Sequence, residues 1–509
     1  MCKLSLSTLV LLFTSTFLGA QSLQLNSAFG NNGTSILPNE SLHKLTFSSR
    51  MITQNKNVFT AISNMKVRSI YEFSVYKTLE NGKIDSSFGS NGKSGLFENT
   101  GLPILNIENS AKVISIAESQ NNDIYILLQV LNKSAAIVKM KENGMIDSAF
   151  GVNGLVDFQI NDFNTQPKNL SFENGNIYIS GHYNDSNVQK IFIKSFSENG
   201  QEHLLKSNKK HLEIFEPQAN IIYAFSHQVE FPFIYIAGNI FENNLSKFYV
   251  KKIHLKESSI SDLTNKFQIN NWQSHVFNKI KLINQSLYLM GSISRNVNKE
   301  YTSLIAKLDK NLTLDKSFNN MGFKVSSIYN DRVNYFDFDV LSDKLYVFGR
   351  RRNSSIIPEI SIVNFIGCMS LNGDDINGFG ENSLIYLKSL TTKVKDVETP
   401  IKILISSDST FNLSFLSDQL LMQQYHLNFK TSIESETNQN KLIVYPNPTN
   451  TYLNFNNELE IVKLYDVRGL LLKTYTNINA IDLRDFTSGL YIIETIDNSN
   501  HQRFKILKN

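Results

Sequence analysis

The sequence predicts an all-β chain: a seven-bladed β-propeller over residues 21–430, followed by a small Ig-like β-sandwich over residues 441–509. Three observations carry this prediction. A phrase built on Ser/Ala-Phe-Gly recurs at near-constant spacing, an apolar-Tyr-apolar marker recurs in step with it, and no segment shows sustained helical periodicity.

The first element is residues 1–20. Lys3, the apolar run LVLLFTSTFLG and small residues up to Ala20 form the pattern of a secretory signal peptide, cut between Ala20 and Gln21. The run is too short for a membrane span, and nothing later approaches the ~20 apolar residues one needs. Cys2 leaves with the signal, so Cys368 is the one cysteine of the mature chain and no intramolecular disulfide can form. Stability must then come from buried apolar surface.

The repeat follows. LNSAFGNNG holds Phe29, IDSSFGSNG Phe88, IDSAFGVNG Phe150, LDKSFNNMG Phe318 and INGFGENS Phe379. The steps are 59, 62 and 61, and the 168-residue gap before Phe318 is three further steps, so the phrase counts seven units. The second marker gives the same count without the gap: DIYILL at Tyr125, NIYISG at Tyr178, FIYIAG at Tyr235, SLYLMG at Tyr288 and KLYVFG at Tyr346, with VFTAIS at Phe59 and TFNLSF at Phe411 as weaker members. The marker Phe and Tyr residues are the predicted core.

A third strand in each unit runs into Asn-Gly at Asn81, Asn143 and Asn199, the pair favoured in type I′ hairpins. Asp85, Asp147 and Asp315 stand where they cap nearby amides, so they read as turn builders. A unit of about sixty residues and four short strands is the size of a propeller blade. The first phrase precedes any complete unit and the seventh unit lacks one. The strand near Leu23 to Phe29 is therefore expected to complete the last blade.

Chemistry is sparse. The net charge of +4 is scattered, which excludes the clustered basic face of a nucleic-acid binder. Arg350, Arg351 and Arg352 read as a solvated loop after a strand. The histidines are dispersed, Cys368 has no CxxC partner, and Asp374-Asp375 reads as a hairpin turn, so no metal, cofactor or catalytic residue is predicted. His227 with Glu230 as an acid–base pair weighs far less than a satisfied histidine, and Trp272 reads as an aromatic packed between blades. Two function classes remain. One is a binding or adhesion protein, its glycan or protein ligand met by loops on one ring face or at the channel mouth. The other is an enzyme, a hydrolase or lyase acting on extracellular polysaccharide or peptide, which needs acids and histidines converging from different blades.

Residues 431–440 (TSIESETNQN) read as a polar linker. Beyond it, LIVYPNPTNTYLNF, IVKLYDVRGLLLKTY, IDLRDFTSGLYIIETIDN and RFKILKN suggest about seven short strands. Through Tyr445, Pro446, Asn447, Pro448, Asp466, Gly469, Gly489 and Tyr491 this tail resembles the type A C-terminal sorting domain of type IX secretion system cargo. The resemblance implies export through the periplasm and across the outer membrane, with the secretion machinery as partner of residues 441–509. It also implies a secreted or cell-surface location, removal of the tag, and attachment of the passenger to surface lipopolysaccharide. Upstream, the Phe-Gly phrases resemble the delta-60 repeat of secreted bacterial proteins, well in the first three units and at Phe318, poorly between about Gly200 and Lys310.

Overall fold

The computed structural model describes residues 21–37, 45–52, 56–67, 70–96, 111–130, 134–186, 188–205, 208–216, 221–242, 245–257, 260–262, 274–296, 299–326, 331–353, 362–376, 379–380, 383–387, 399–406, 409–416, 420–429, 442, 444–467, 470–497 and 500–509. The expected signal segment, the linker 431–440, Trp272 and Gly469 lie outside them. The chain divides into two compact units, Met1–Ser432 and Ile433–Asn509.

In the first unit the described strands form seven antiparallel sheets, the predicted blades. Their innermost strands are Leu45–Ile52, Ala111–Glu118, Thr165–Glu173, Ile221–Glu230, Ser274–Ile283, Asp331–Leu341 and Thr399–Ile405. Each blade packs on the next, and Thr399–Ile405 of blade seven meets Leu45–Ile52 of blade one, which closes the ring. The expected closure by the N-terminal strand is present. Gln21–Leu25 pairs with Leu420–Phe429, Leu25 opposite Tyr425, and Thr34–Ile36 continues along the same strand.

The sequence markers join blades to one another. Phe29, Phe88, Phe150, Phe318 and Phe379 are buried, as are Tyr125, Tyr178, Tyr235, Tyr288 and Tyr346. Within a blade the two sets meet edge-on, as Tyr125 does with Phe150 at 5.7 Å and Tyr288 with Phe318 at 6.1 Å. The residue after four of these phrase Phe residues then reaches across the seam. Gly30 N–H donates to the Asn81 carbonyl (2.7 Å), Gly89 to Asn143 (2.8 Å), Gly151 to Asn199 (3.1 Å) and Asn319 to Asn372 (2.7 Å). The phrase of one blade thus latches onto the Asn-Gly turn of the next.

The turn itself differs from the type I′ expectation. Gly82, Gly144 and Gly200 have φ of +80°, +85° and +82°, but Asn81, Asn143 and Asn199 do not share the positive φ. Gly82 N–H bonds to Leu79 O at 2.8 Å, a type I turn closed by a left-handed glycine. The asparagine serves otherwise: the Asn81 side chain accepts from Lys83 N (3.0 Å), and its carbonyl takes the latch.

Every innermost strand carries a β-bulge at the same place, shown by register shifts such as Pro167/Asn169, Ala224/Ser226 and Phe277/Lys279. The final glycine of the Tyr marker makes room for it. A Cβ on Gly238 would run into the carbonyl oxygen of Tyr223, and one on Gly181 into that of Gln166. Gly238→Ala is expected to destabilise the ring by about 2 kcal/mol, read as a lower denaturation midpoint at unchanged secondary structure.

The arginine triplet is a correction. Arg350, Arg351 and Arg352 lie inside the strand Lys344–Asn353. Arg350 donates to Asn364 Oδ1 at 3.2 Å, and Arg351 stacks over Tyr386 at 5.7 Å. Neighbouring aromatic and amide groups accommodate the guanidinium stems that local composition assigns to a loop.

The tail is an Ig-like sandwich with five described strands where about seven were expected: Val444–Tyr445, Tyr452–Asp466, Leu471–Asp482, Gly489–Asp497 and Asn500–Lys508. The long strand Tyr452–Asp466 runs through a register shift between Asn454 and Leu459. It thereby serves in place of two short strands, and it buries Leu453 and Phe455 before the shift and Val462 and Leu464 after it.

Candidate functional site

The aspartates of the repeat are consumed by architecture. Asp85 Oδ1 accepts from Ser87 N at 3.0 Å and its other oxygen faces Lys77 at 3.3 Å, while Asp315 does the same with Ser317 and Lys307. The hydroxyl of Ser87 and the Lys77 cation hold the Asp85 carboxyl below its usual range against the opposing effect of partial burial. Ser370 Oγ caps the turn by accepting from Asp374 N at 3.1 Å and donates to Asp374 Oδ2 at 3.2 Å, and Asp375 pairs with Lys324 at 2.7 Å.

His227 and Glu230 are not brought together as an acid–base pair. His227 is buried between Ser180 Oγ at 2.6 Å and Ser171 Oγ at 2.8 Å, and burial pushes it down to about 3, so it is a neutral tie between blades three and four. Glu230 pairs with Lys310 of blade five.

Two charged rungs line the innermost strands of blades five to seven. Lys279 pairs with Asp337, whose second oxygen accepts from Ile403 N at 3.1 Å; Lys281 pairs with Asp339 at 2.6 Å, and Asp339 accepts from Ile405 N at 3.4 Å. Burial opposes ionisation of Asp339, but Lys281 and Lys279 outweigh it and keep the carboxyl low. Sequence spacing of about sixty residues hid these partners, because each sits on a different blade.

A cleft lies at the seam where the ring closes. It has a volume of about 590 Å³ and is lined by Asn26, Asn57, Asn81, Ser406, Thr410, Asn412, Gln424 and His426, with Lys56 and Glu80. Gln424 is its hub. It accepts from Asn26 Nδ2 at 2.6 Å and donates to Asn412 Oδ1 at 3.1 Å and to the Glu80 carbonyl at 3.4 Å. Lys56 and Glu80 neutralise each other at 3.0 Å. Ala28 and Leu79 add apolar surface, so the wall combines amides and hydroxyls, several held by Gln424, with an apolar patch and little net charge, suited to a neutral ligand. Of its lining, the sequence singled out Asn81 alone, and as a turn residue. Five segments of blades seven and one contribute, and the local signal is the density of Asn and Gln around the ring closure.

Among the described residues no group of three or more His, Cys, Asp or Glu is arranged to hold a metal ion. One carboxyl stands apart. Glu118, at the end of an innermost strand, is pushed up to about 6 by burial and by the nearby Glu142, and its Oε1 is buried without a hydrogen-bond partner.

In the tail, the motif residues hold the last strand. The Asn447 side chain donates to Lys505 O (2.8 Å) and accepts from Leu507 N (2.9 Å), while Thr449 N bonds to Leu507 O (2.9 Å). The Pro-Asn-Pro segment thus runs along the outer edge of Asn500–Lys508. Pro446 and Pro448 flank that asparagine, and Tyr445 is exposed beside them. Asp466 closes its turn by accepting from Leu470 N at 2.9 Å. Gly489 opens its strand, and buried Tyr491 donates to Thr487 O at 2.7 Å.

The fold defines the class: a β-propeller followed by a small Ig-like domain. Residues 443–509 match the family described as the secretion system C-terminal sorting domain. The chain is cargo of the type IX secretion system, sent to the cell surface or beyond. No curated protein matches it. Among solved structures it is similar to YCF48 from Cyanidioschyzon merolae, with 8% identity over 77% of this chain and 98% of that one and a TM-score of 0.42. It is similar to the β-propeller domain of the trilobed protease from Pyrococcus furiosus, with 10% identity, coverage of 78% and 100%, and a TM-score of 0.41. An ulvan lyase is similar at 10% identity, with coverage of 80% and 94% and a TM-score of 0.43.

Proposed function

We propose that the passenger is a cell-surface binding protein of adhesive role whose ligand is a glycan seated in the seam cleft. The observation that carries this is the cleft wall: side-chain amides and hydroxyls from blades seven and one, pre-fixed through Gln424 and with their one ion pair internally neutralised. Such a wall matches the alternating donors and acceptors of sugar hydroxyls and loses little entropy on binding. After export, removal of the tag and attachment to surface lipopolysaccharide would display the cleft. A secretory signal at residues 1–20 and a delta-60 origin of the blades belong to the same proposal.

A glycan array probed with residues 21–509 tests it, with Asn57→Ala as the variant, since Asn57 lines the cleft. Saturable glycan binding that weakens about tenfold in Asn57→Ala, at unchanged melting temperature, is the expected result. Absence of any glycan signal, or binding indifferent to Asn57, overturns it.

The enzyme reading rests on Glu118. A glutamic acid held partly protonated near neutral pH beside a second carboxylate has the character of a general acid. Turnover of a polysaccharide or peptide that is lost in Glu118→Gln would move the assignment to that class.

A further inference from the structure

The bulges of the innermost strands leave one residue per blade outside the ladder. In blades two to seven these are Ile114, Lys168, Phe225, Asn278, Phe336 and Ile401. Lys168 is the only charged member of that set. It is partly buried, burial depresses its ammonium, and among the described residues no acid or hydrogen-bond acceptor meets it. An unpaired, partly desolvated cation costs stability, and the fold offers no structural return for it.

Its surroundings are equally incomplete. His182, 2% exposed, binds Gln166 Oε1 through Nε2 at 2.9 Å, and its Nδ1 is buried without a partner. With the Gln166 oxygen as acceptor, Nε2 carries the proton and Nδ1 is a lone-pair acceptor. Burial and the Lys168 charge keep the ring neutral, at about 3. The His182 ring meets Tyr223 edge-on at 5.2 Å, and Tyr223 stacks on Phe225 at 5.6 Å and 26°. A cation, a lone-pair acceptor and an aromatic platform thus converge where blades three and four meet.

We infer that this junction of blades three and four binds the anionic, hydroxylated ring of an acidic sugar. Its carboxylate or sulfate would meet Lys168, a ring hydroxyl would donate to His182 Nδ1, and the apolar sugar face would lie on Tyr223 and Phe225. The site is separate from the seam cleft, which is uncharged in sum and lies between blades seven and one. It extends the glycan reading to a second subsite with its own chemistry.

The test is calorimetric titration of residues 21–509 with oligogalacturonate, with a sulfated galactan oligosaccharide, and with the neutral galactan as control. The expected result is saturable binding of at least one acidic oligosaccharide. Lys168→Met should weaken it at least tenfold and leave neutral-glycan binding at the seam unchanged, with an equal or higher melting temperature because an unpaired charge is gone. Tyr223→Ala should weaken it as well. Carboxylated or sulfated arms alone identify the anion. Acidic-sugar binding that Lys168→Met leaves intact, no acidic-sugar binding at all, or a fall in melting temperature in Lys168→Met overturns the inference. Loss confined to Asn57→Ala leaves the seam reading standing and removes this one. Loss confined to Lys168→Met does the reverse.

Discussion

A passenger lacking residues 21–36 is expected to lose its cooperative thermal transition, or to melt far below the full chain. The deleted segment supplies the whole outer strand of blade seven, pairing with Leu420–Phe429 through Gln21–Leu25 and Thr34–Ile36. It also takes away Phe29, 1% exposed, together with the latch from Gly30 to Asn81. Burying one such aromatic contributes about 1.5–3 kcal/mol, and the partly buried Leu23 and Leu25 pack on the blade-seven core besides. The sum approaches the ~5–15 kcal/mol that holds a typical domain. The loss also exposes the edge of Leu420–Phe429, so aggregation should accompany it. An unchanged melting temperature in the deletion would show that the ring does not depend on this closure.

Asp337→Ala is the point change expected to cost most. The Asp337 side chain is 5% exposed and faces Lys279, which is 20% exposed, and it also receives Ile403 N. Removing it strands a buried ammonium and a backbone donor of the neighbouring blade together. Breaking one side of such a pair costs about 3–5 kcal/mol. The lower rung gives the contrast: Lys281 and Asp339 are 29% and 23% exposed, so Asp339→Ala should cost less, about 1–3 kcal/mol. Replacing both partners in Lys279→Met with Asp337→Leu should recover the part due to the stranded ammonium, because the charge pair contributes little once its own desolvation is counted, while Ile403 N stays without its acceptor. Denaturant midpoints of the three variants check this. Equal costs for both rungs would mean that burial does not set the scale.

The fold was legible because each marker has a local cause. The phrase glycine turns out of the ladder, the Asn-Gly glycine closes a turn, and the Tyr-marker glycine admits a bulge, so the period survives in single residues. The arginine triplet misled for the complementary reason. Its partners, Asn364 and Tyr386, lie on later strands, and nothing local marks a strand that carries three cations. The same limit hid the candidate sites. Gln424 meets Asn26 across 398 residues, and His182, which feels the Lys168 charge, meets Tyr223 only where blades three and four come together. The tail was legible as an address because Asn447, Asp466 and Tyr491 each perform their task within the domain.

The ring closure has a consequence for when the protein becomes active. The seam cleft takes Asn26 from the first strand of the passenger and Gln424 from the last, and neither half has the lining alone. On the proposed glycan reading, recognition is thereby withheld from every nascent, truncated or unclosed chain. A bound glycan would certify that synthesis has reached the end of the passenger and that its two termini have met.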